Sequence, residues 1–169
     1  MPNFTVIDVS QQRQAQYSSM YNAIQKCFND IIKFENIIDI IQLKIEKLKC
    51  PVSARINVDS WDIQISIDMC IQNIQLPKDM IYAMLAHEFG HYHYKHKFET
   101  FYNEIQADKY CINLLTRMKL DKLALSNLLQ YIDQNYMCYI SNVLELRNRY
   151  ILANRYANGL LNTYENINV

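Results

Sequence analysis

The stretch that decides the fold runs from residue 81 to residue 108 and reads IYAMLAHEFGHYHYKHKFETFYNEIQAD. Its first apolar residues follow helical spacing, at Ile81, Met84, Leu85 and Phe89. All four histidines of the chain fall between residues 87 and 96. His87 and His91 are four residues apart, which places them about 40° apart on a helix. The segment therefore predicts a helix that carries two imidazoles on one face.

These two histidines have the spacing of metal ligands. Two imidazoles one helical turn apart can bind one tetrahedral ion, and His87-Glu88-x-x-His91 is the HExxH pattern of zinc-dependent hydrolysis. Glu88 lies about 100° around the helix from His87, too far to share its ligand position. We expect Glu88 to act as the catalytic base on a zinc-bound water molecule.

A third ligand is expected further along the chain, because catalytic zinc sites take three protein ligands and leave one position open. Glu104 follows His91 by thirteen residues, and Asp108 comes one helical turn after Glu104. Glu104 is predicted to complete a site for one Zn²⁺ ion per chain. Asp108 is predicted to accept a hydrogen bond from a ligand histidine. His93 and His96 point away from this face, and we expect a surface histidine and a helix-end histidine.

Gly90 lies inside the predicted metal-binding helix and is one of only two glycines in the chain. A glycine in a helix costs roughly 0.5–1 kcal/mol relative to alanine. Either a neighbouring segment approaches closely there or the glycine is simply tolerated. So few glycines also exclude Gly-rich phosphate loops and dinucleotide fingerprints.

The rest of the chain predicts mostly helix. Helical spacing over Gln11–Leu48 indicates one long helix or two packed helices, ended by Cys50-Pro51. Residues 52–58 and 63–67 alternate, which predicts two antiparallel strands. Residues 71–76 suit either a third short strand or a helical turn, and we favour the turn. Pro77 suits the start of a helix that runs to about His96. Further helices are predicted over 101–118, 121–135 and 137–157, with Asp121 as an N-cap and Gly159 as a helix end.

These elements predict an α+β fold, a mostly helical single domain with a small twisted sheet. A chain of 169 residues fits one domain. Within it, residues 51–169 are interpreted as the core that carries the site, together with the carboxy-terminal helices. Residues 1–50 are interpreted as an amino-terminal helical segment that serves ordinary packing, covers the cleft in a latent state, or binds a partner.

Composition narrows the class of protein. The 17 basic and 17 acidic residues cancel, so no overall field favours nucleic acid, and no such partner is expected. The chain has no uncharged apolar run long enough to span a membrane and no export signal at Met1–Ser10. The five cysteines form no Cys-x-x-Cys pair, which favours buried free thiols. We expect a soluble, cytoplasmic protein.

His87-Glu88-x-x-His91, with His96 five residues on and then Glu104-x-x-Ala107-Asp108, resembles a family of metallopeptidases. This family is the gluzincins of the CAAX prenyl endopeptidase type, which includes bacterial heat-shock membrane proteases and the small soluble minigluzincins. The resemblance covers roughly residues 52 to 132. It implies a zincin-like fold, zinc held by His87, His91 and Glu104, catalysis by Glu88, and hydrolysis of peptide bonds in a peptide or protein substrate.

The resemblance also implies a place for the substrate. The strand that carries Val52, Ala54, Ile56 and Val58 is similar to the edge strand on which such enzymes align an extended peptide, main chain to main chain. The chain differs from most of the family in having no transmembrane segments and no late His-Pro element, where Glu145-Leu146-Arg147-Asn148-Arg149 stands instead.

One late cluster could bring a donor to developing negative charge, and it consists of Arg147, Arg149, Tyr150 and Arg155. Arg147 and Tyr150 are the candidates for the oxyanion side, and solvated charges on a helix are the alternative. The function expected is that of a zinc-dependent endopeptidase. The alternative is a zinc-stabilised binding or regulatory protein that has a zincin scaffold without productive proteolysis.

Overall fold

The computed structural model describes residues 8–160, which form an α+β fold, mostly helical with one small sheet. In chain order the elements are α1 Val9–Gln16, α2 Ser19–Phe34, β1 Leu43–Glu46, β2 Ala54–Ile56, β3 Ile63–Ser66, α3 Ile67–Ile71, α4 Lys78–Tyr94, α5 Phe101–Arg117, α6 Ala124–Tyr136, a 3₁₀ turn Met137–Tyr139, and α7 Val143–Ala157. Among these helices none combines the length and the apolar character needed to cross a membrane.

Helix α4 lies at the centre of the core. Every residue from Ile81 to His91 is buried, including both histidines of the HExxH pattern and Glu88 between them. A helix buried on all sides needs other elements around it. Helices α2, α5 and α6 and strand β2 pack against α4. The HExxH pattern therefore lies on the part of α4 that is enclosed on all sides.

The sheet has the order β1-β3-β2, which leaves β2 at one edge. The predicted antiparallel pair is confirmed, because Ala54 pairs with Ile65 and Ile56 with Ile63. Both strands are shorter than predicted: Val52 and Val58 flank β2 instead of belonging to it, and Ile67 already begins α3.

The prediction of helix throughout Gln11–Leu48 is wrong in its last third. The segment begins as two helices, and α2 ends at Phe34, after which Asn36 takes a left-handed conformation with φ 51°. Residues 43–46 then form β1, which pairs in parallel with β3. Ile41 and Ile45 are four residues apart, a spacing that places side chains together on a helix and also on one face of a strand. The open edge of β3 decides between the two.

Three other boundaries differ from the predictions. The helical turn expected at 71–76 lies earlier, as α3, and α4 ends at Tyr94 because Lys95 adopts a left-handed cap with φ 54°. Helix α6 begins at Ala124, and the Asp121 carboxylate instead accepts the N–H of Leu123 at 2.9 Å. The last helix starts at Val143, six residues late, where the Asn142 side chain caps it by accepting the N–H of Glu145. Gly159 ends it with φ 69°, as expected.

Residues 8–50 share the core and the sheet with the rest of the described chain. Helix α2 packs on α4 and α3, and β1 completes the sheet beside β3. The cysteines are free thiols, and four of the five are buried as predicted. Cys138 is exposed, because it lies in the short 3₁₀ turn at the surface.

Candidate metal centre

The close approach of α4 and α5 brings the predicted ligands together. A Cβ atom at Gly90 would lie 2.8 Å from the Cα of Ala107, closer than any side chain tolerates. Of the two interpretations of Gly90, the structure therefore supports close approach by a neighbouring segment. Because Ala107 lies between Glu104 and Asp108, this contact places both carboxylates beside the histidines of α4.

His87, His91 and Glu104 form a compact triangle of ligand atoms. The Nε2 atoms of the two histidines are 3.1 Å apart, and Glu104 places one carboxylate oxygen 3.2 Å from His87 Nε2 and the other 3.3 Å from His91 Nε2. Zinc bound tetrahedrally at about 2.0–2.1 Å separates its ligand atoms by roughly 3.3 Å. The donor set and its spacing therefore fit a zinc-sized tetrahedral cation with three protein ligands.

Asp108 lies behind His87, as the sequence predicts. Its Oδ1 atom is 2.8 Å from His87 Nδ1, the ring nitrogen that does not face the triangle. Burial by itself would lower the pKa of His87, but hydrogen bonds with Asp108 and Glu104 outweigh it and raise the pKa to about 10. Carboxylates that stabilise a proton at this imidazole would also stabilise a metal cation there.

Arg149 forms ion pairs with both carboxylates, those of Glu104 and Asp108. Its Nη2 and Nε atoms donate to the two oxygens of Asp108, at 2.6 and 2.9 Å, and its Nη1 lies 2.8 Å from Glu104. Burial alone would raise the pKa of each carboxyl group. For Asp108 the Arg149 charge, and for Glu104 mainly the hydrogen bonds with the histidines, instead hold the pKa below its ordinary value. Both groups are therefore ionised and poised to attract a cation.

His91 has a second imidazole behind it in place of a carboxylate. Its Nδ1 atom is 2.9 Å from Nδ1 of His96, which is buried although the sequence suggested only a helix-end residue. Burial lowers the pKa of His91, which favours the neutral imidazole that a metal ligand must be. His93 is exposed, as predicted, and packs on Tyr110.

Glu88 stays outside the ligand triangle but faces the same space. Burial raises its pKa to about 8, with the charges of His87 and Arg149 and the backbone of Ile56 acting in the opposite direction. A carboxyl group with a pKa near neutrality can both accept and release a proton. The contact with Ile56 places Glu88 next to the edge strand β2.

A cavity of about 690 Å³ opens in front of these groups. Its walls include the three ligand residues, Glu88 and Arg149, the predicted substrate strand with Val52, Ala54, Ile56 and Val58, and an apolar end formed mainly by α6. In the described part of the chain the lining residues begin at Cys50, so α1, α2 and β1 do not line this cavity.

The main chain of β2 offers groups along the cavity that do not pair with β3. The Ser53 carbonyl accepts from Ser66 at 3.0 Å and the Asn57 N–H donates to Asp62 at 2.8 Å, so these two residues face β3. Backbone groups alternate in direction along a strand. Ala54 and Ile56 therefore point their N–H and C=O groups towards the open edge.

Neither candidate for the oxyanion side lies in the cavity wall. Arg147 projects to the surface and pairs with Asp133 at 3.0 Å, while Tyr150 packs against the core. The residue that reaches the site is Arg149, a third member of the late cluster, so for this arginine the alternative of a solvated charge is wrong. Leu146 and Ala153 are buried on α7. Arg149 is three residues from Leu146 and four from Ala153, so it lies on the same face of α7. This helical spacing was the signal that Arg149 points inward.

No family model matches this chain, and no curated protein and no solved structure is significantly similar to it. The interpretation of the site therefore depends on its own residues and their geometry.

Proposed function

We propose that this protein is a zinc-dependent endopeptidase with a zincin-like fold, similar to the gluzincins. The observation that carries the proposal is the triangle of His87, His91 and Glu104 at one cavity wall, with Glu88 beside it as a carboxylate that is not a ligand. A site that only stabilised a fold would be closed by four protein ligands. Here the described residues supply three, and the ligand atoms face a cavity.

His87, His91 and Glu104 would hold the ion. When bound, zinc lowers the pKa of water and polarises a carbonyl group. The main-chain groups of Ala54 and Ile56 on the open edge of β2 would pair with an extended peptide, as in strand addition to a sheet edge. This pairing would lay the scissile bond along the cavity beside Glu88.

Glu88 carries the proton in the proposed reaction. Its carboxylate accepts a proton from the attacking water as the water oxygen bonds to the carbonyl carbon. The carboxyl group then gives this proton to the leaving nitrogen as the C–N bond breaks, which yields a new carboxyl terminus and a new amino terminus. Arg149 keeps Glu104 and Asp108 in place through its ion pairs.

The apolar end of the cavity points to a preference in the substrate. Leu125, Leu128 and Leu129 of α6 line it together with Ile132 and Ile140. Apolar surface removed from water contributes about 25 cal/mol per Å² to binding. We infer that the enzyme favours an apolar side chain next to the scissile bond.

The proposal is tested with the purified full chain, zinc analysis and cleavage of casein and of a broad peptide library. We expect about one zinc per chain and peptide cleavage in the wild type. Glu88→Gln should keep the zinc and lose cleavage, and His87→Ala and Glu104→Ala should lose both. Glu46→Gln, on β1 at the opposite edge of the sheet, is the control that keeps both.

Two results would overturn the proposal. A wild-type chain that binds no zinc would remove the metal centre. A zinc-loaded wild type that cleaves nothing in the library would instead favour the alternative, a zinc-stabilised binding or regulatory protein.

A further inference from the structure

Behind His91 lies a chain of hydrogen-bonding side chains, none of them a carboxylate, that extends away from the metal triangle. His91 Nδ1 contacts His96 Nδ1 at 2.9 Å, and His96 Nε2 contacts the Gln106 amide oxygen at 2.8 Å. The Gln106 amide nitrogen then donates to the Tyr102 hydroxyl at 3.2 Å. Three side chains outside the ligand set thus follow one ring nitrogen of a ligand.

We propose that His96 is a positioning residue, which holds His91 in the tautomer and orientation that a metal ligand needs. This inference rests on the metal site of the proposed function. It concerns how the site is made ready for metal and not how a peptide is cleaved.

Proton counting along the chain gives the direction of each hydrogen bond. A ligating imidazole nitrogen carries no proton, so a metal at His91 Nε2 requires the proton on Nδ1. That N–H then donates to Nδ1 of His96, which must be unprotonated. The His96 proton lies on Nε2 and donates to Gln106, whose carbonyl oxygen faces it. Every donor in this sequence has one acceptor.

The opposite arrangement of protons would exclude metal. If His96 Nδ1 donated to His91, then His91 would carry its proton on Nε2, inside the ligand triangle. His96 Nε2 would then lack a proton and would need a donor. The Gln106 side chain presents its oxygen there and its NH₂ group to Tyr102, so His96 Nε2 would face an acceptor and no donor. The Gln106 amide in this orientation therefore fits the arrangement that leaves His91 Nε2 free and does not fit the opposite one.

His96 is held firmly enough to do this. Only 7% of its surface is exposed, and its ring stacks on Tyr94 with an interplanar angle of 16°. The left-handed cap at Lys95 turns the chain back, and the backbone N–H of His96 donates to the carbonyl of His91 at 3.0 Å. The end of α4 thus folds its own residue against the second metal ligand.

The test compares zinc affinity among variants, measured by competition with a chromogenic chelator. His96→Leu should lose roughly 10–100-fold in affinity, the usual effect of removing such a partner. His96→Gln, which keeps an acceptor oxygen, should lose less. His93→Leu, at an exposed histidine of α4, should match the wild type.

A second measurement separates positioning from general packing. In the zinc-loaded wild type, ¹⁵N NMR of the imidazoles should show the His91 proton on Nδ1, protected from exchange with water. His96→Leu should expose that proton to exchange. Gln106→Leu leaves His96 in place and should lower affinity by a smaller factor, so it provides the test if His96→Leu does not fold.

Zinc affinity within twofold of the wild type in both His96→Leu and Gln106→Leu, with the Nδ1 proton still protected, would overturn the inference. Such a result in a wild type that binds zinc and cleaves peptides would leave the proposed function intact. A wild type that binds no zinc would overturn both.

Discussion

The two ligand histidines of α4 are supported in different ways. His87 is backed by charge, because Asp108 accepts from its ring and Arg149 holds that carboxylate with two hydrogen bonds. His91 is backed by an imidazole and an amide in place of a carboxylate, beginning with His96 at 2.9 Å. Both partners are buried, with 0% exposure for Asp108 and 7% for His96.

This difference shows how a buried site limits its own charge. Glu104 and Asp108 already place two carboxylates against one guanidinium. A further carboxylate behind His91 would need another buried cation, because an unpaired charge in the interior costs several kcal/mol. An imidazole at this position can fix the orientation of His91 without adding a buried negative charge.

The largest expected effect on the stability of the metal-free protein comes from removing Asp108, the charged partner of His87. Asp108→Leu leaves the Arg149 guanidinium without its two-point partner and should cost about 3–5 kcal/mol of unfolding free energy. His96→Leu leaves only neutral groups unpaired and should cost about 1–3 kcal/mol. Urea unfolding in the presence of a chelator measures both, and equal losses would contradict the comparison.

The ionisable groups around His87 should also govern how the stability of the metal-free protein depends on pH. Stabilisation by the proton on His87 is fully present below its ordinary pKa of 6.5 and is lost as the pH rises through about 10. Glu88 acts in the same direction, from its ordinary pKa of 4.5 to about 8. Asp108 and Glu104, whose pKa values are lowered, lose their contribution only in acid.

The metal-free melting temperature should therefore fall between pH 6 and pH 9. Asp108→Asn should weaken this fall, because the His87 pKa loses a main cause of its rise, whereas His96→Gln should leave it in place. Melting curves in chelator at several pH values give the answer. A melting temperature that rises over this range in the wild type would contradict the assignment of protons.

A smaller effect is expected at the contact between α4 and α5, on which the support of both ligand histidines depends. Gly90→Ala would place a Cβ atom 2.8 Å from the Cα of Ala107, so α4 and α5 must move apart. Such overpacking typically costs about 1–3 kcal/mol. Zinc affinity should fall as well, since Glu104 moves away with α5. Unchanged stability and affinity would mean that the helices adjust without disturbing the ligands.

The smallest effect should come from Arg147, two residues before Arg149 on α7. Its pair with Asp133 is half exposed, and such pairs contribute less than about 1 kcal/mol. Arg147→Ala should leave zinc affinity unchanged, whereas Arg149→Ala should lower both affinity and stability. Zinc titration and urea unfolding of the two variants decide whether only the buried arginine belongs to the site.

The sequence by itself determines what a helix imposes on near neighbours. The spacing of His87 and His91 puts their rings on one face, and the spacing of Glu104 and Asp108 does the same on α5. The alternating residues around Ala54 and Ile63 likewise predict the antiparallel pair. In each case the regular geometry of a helix or strand fixes the relative directions of side chains a few residues apart. Such directions can be predicted without knowing which distant residues pack nearby.

Tertiary structure alone decides which distant groups meet. Residues 43–46 become a strand because β3 offers an open edge, although their spacing also suits a helix. Arg149 enters the site because α7 packs with this face of the helix turned towards the core. His96 becomes the partner of His91 because the chain reverses at Lys95. These outcomes depend on contacts between elements, and the free energy of such a contact depends on the residues of both packed surfaces.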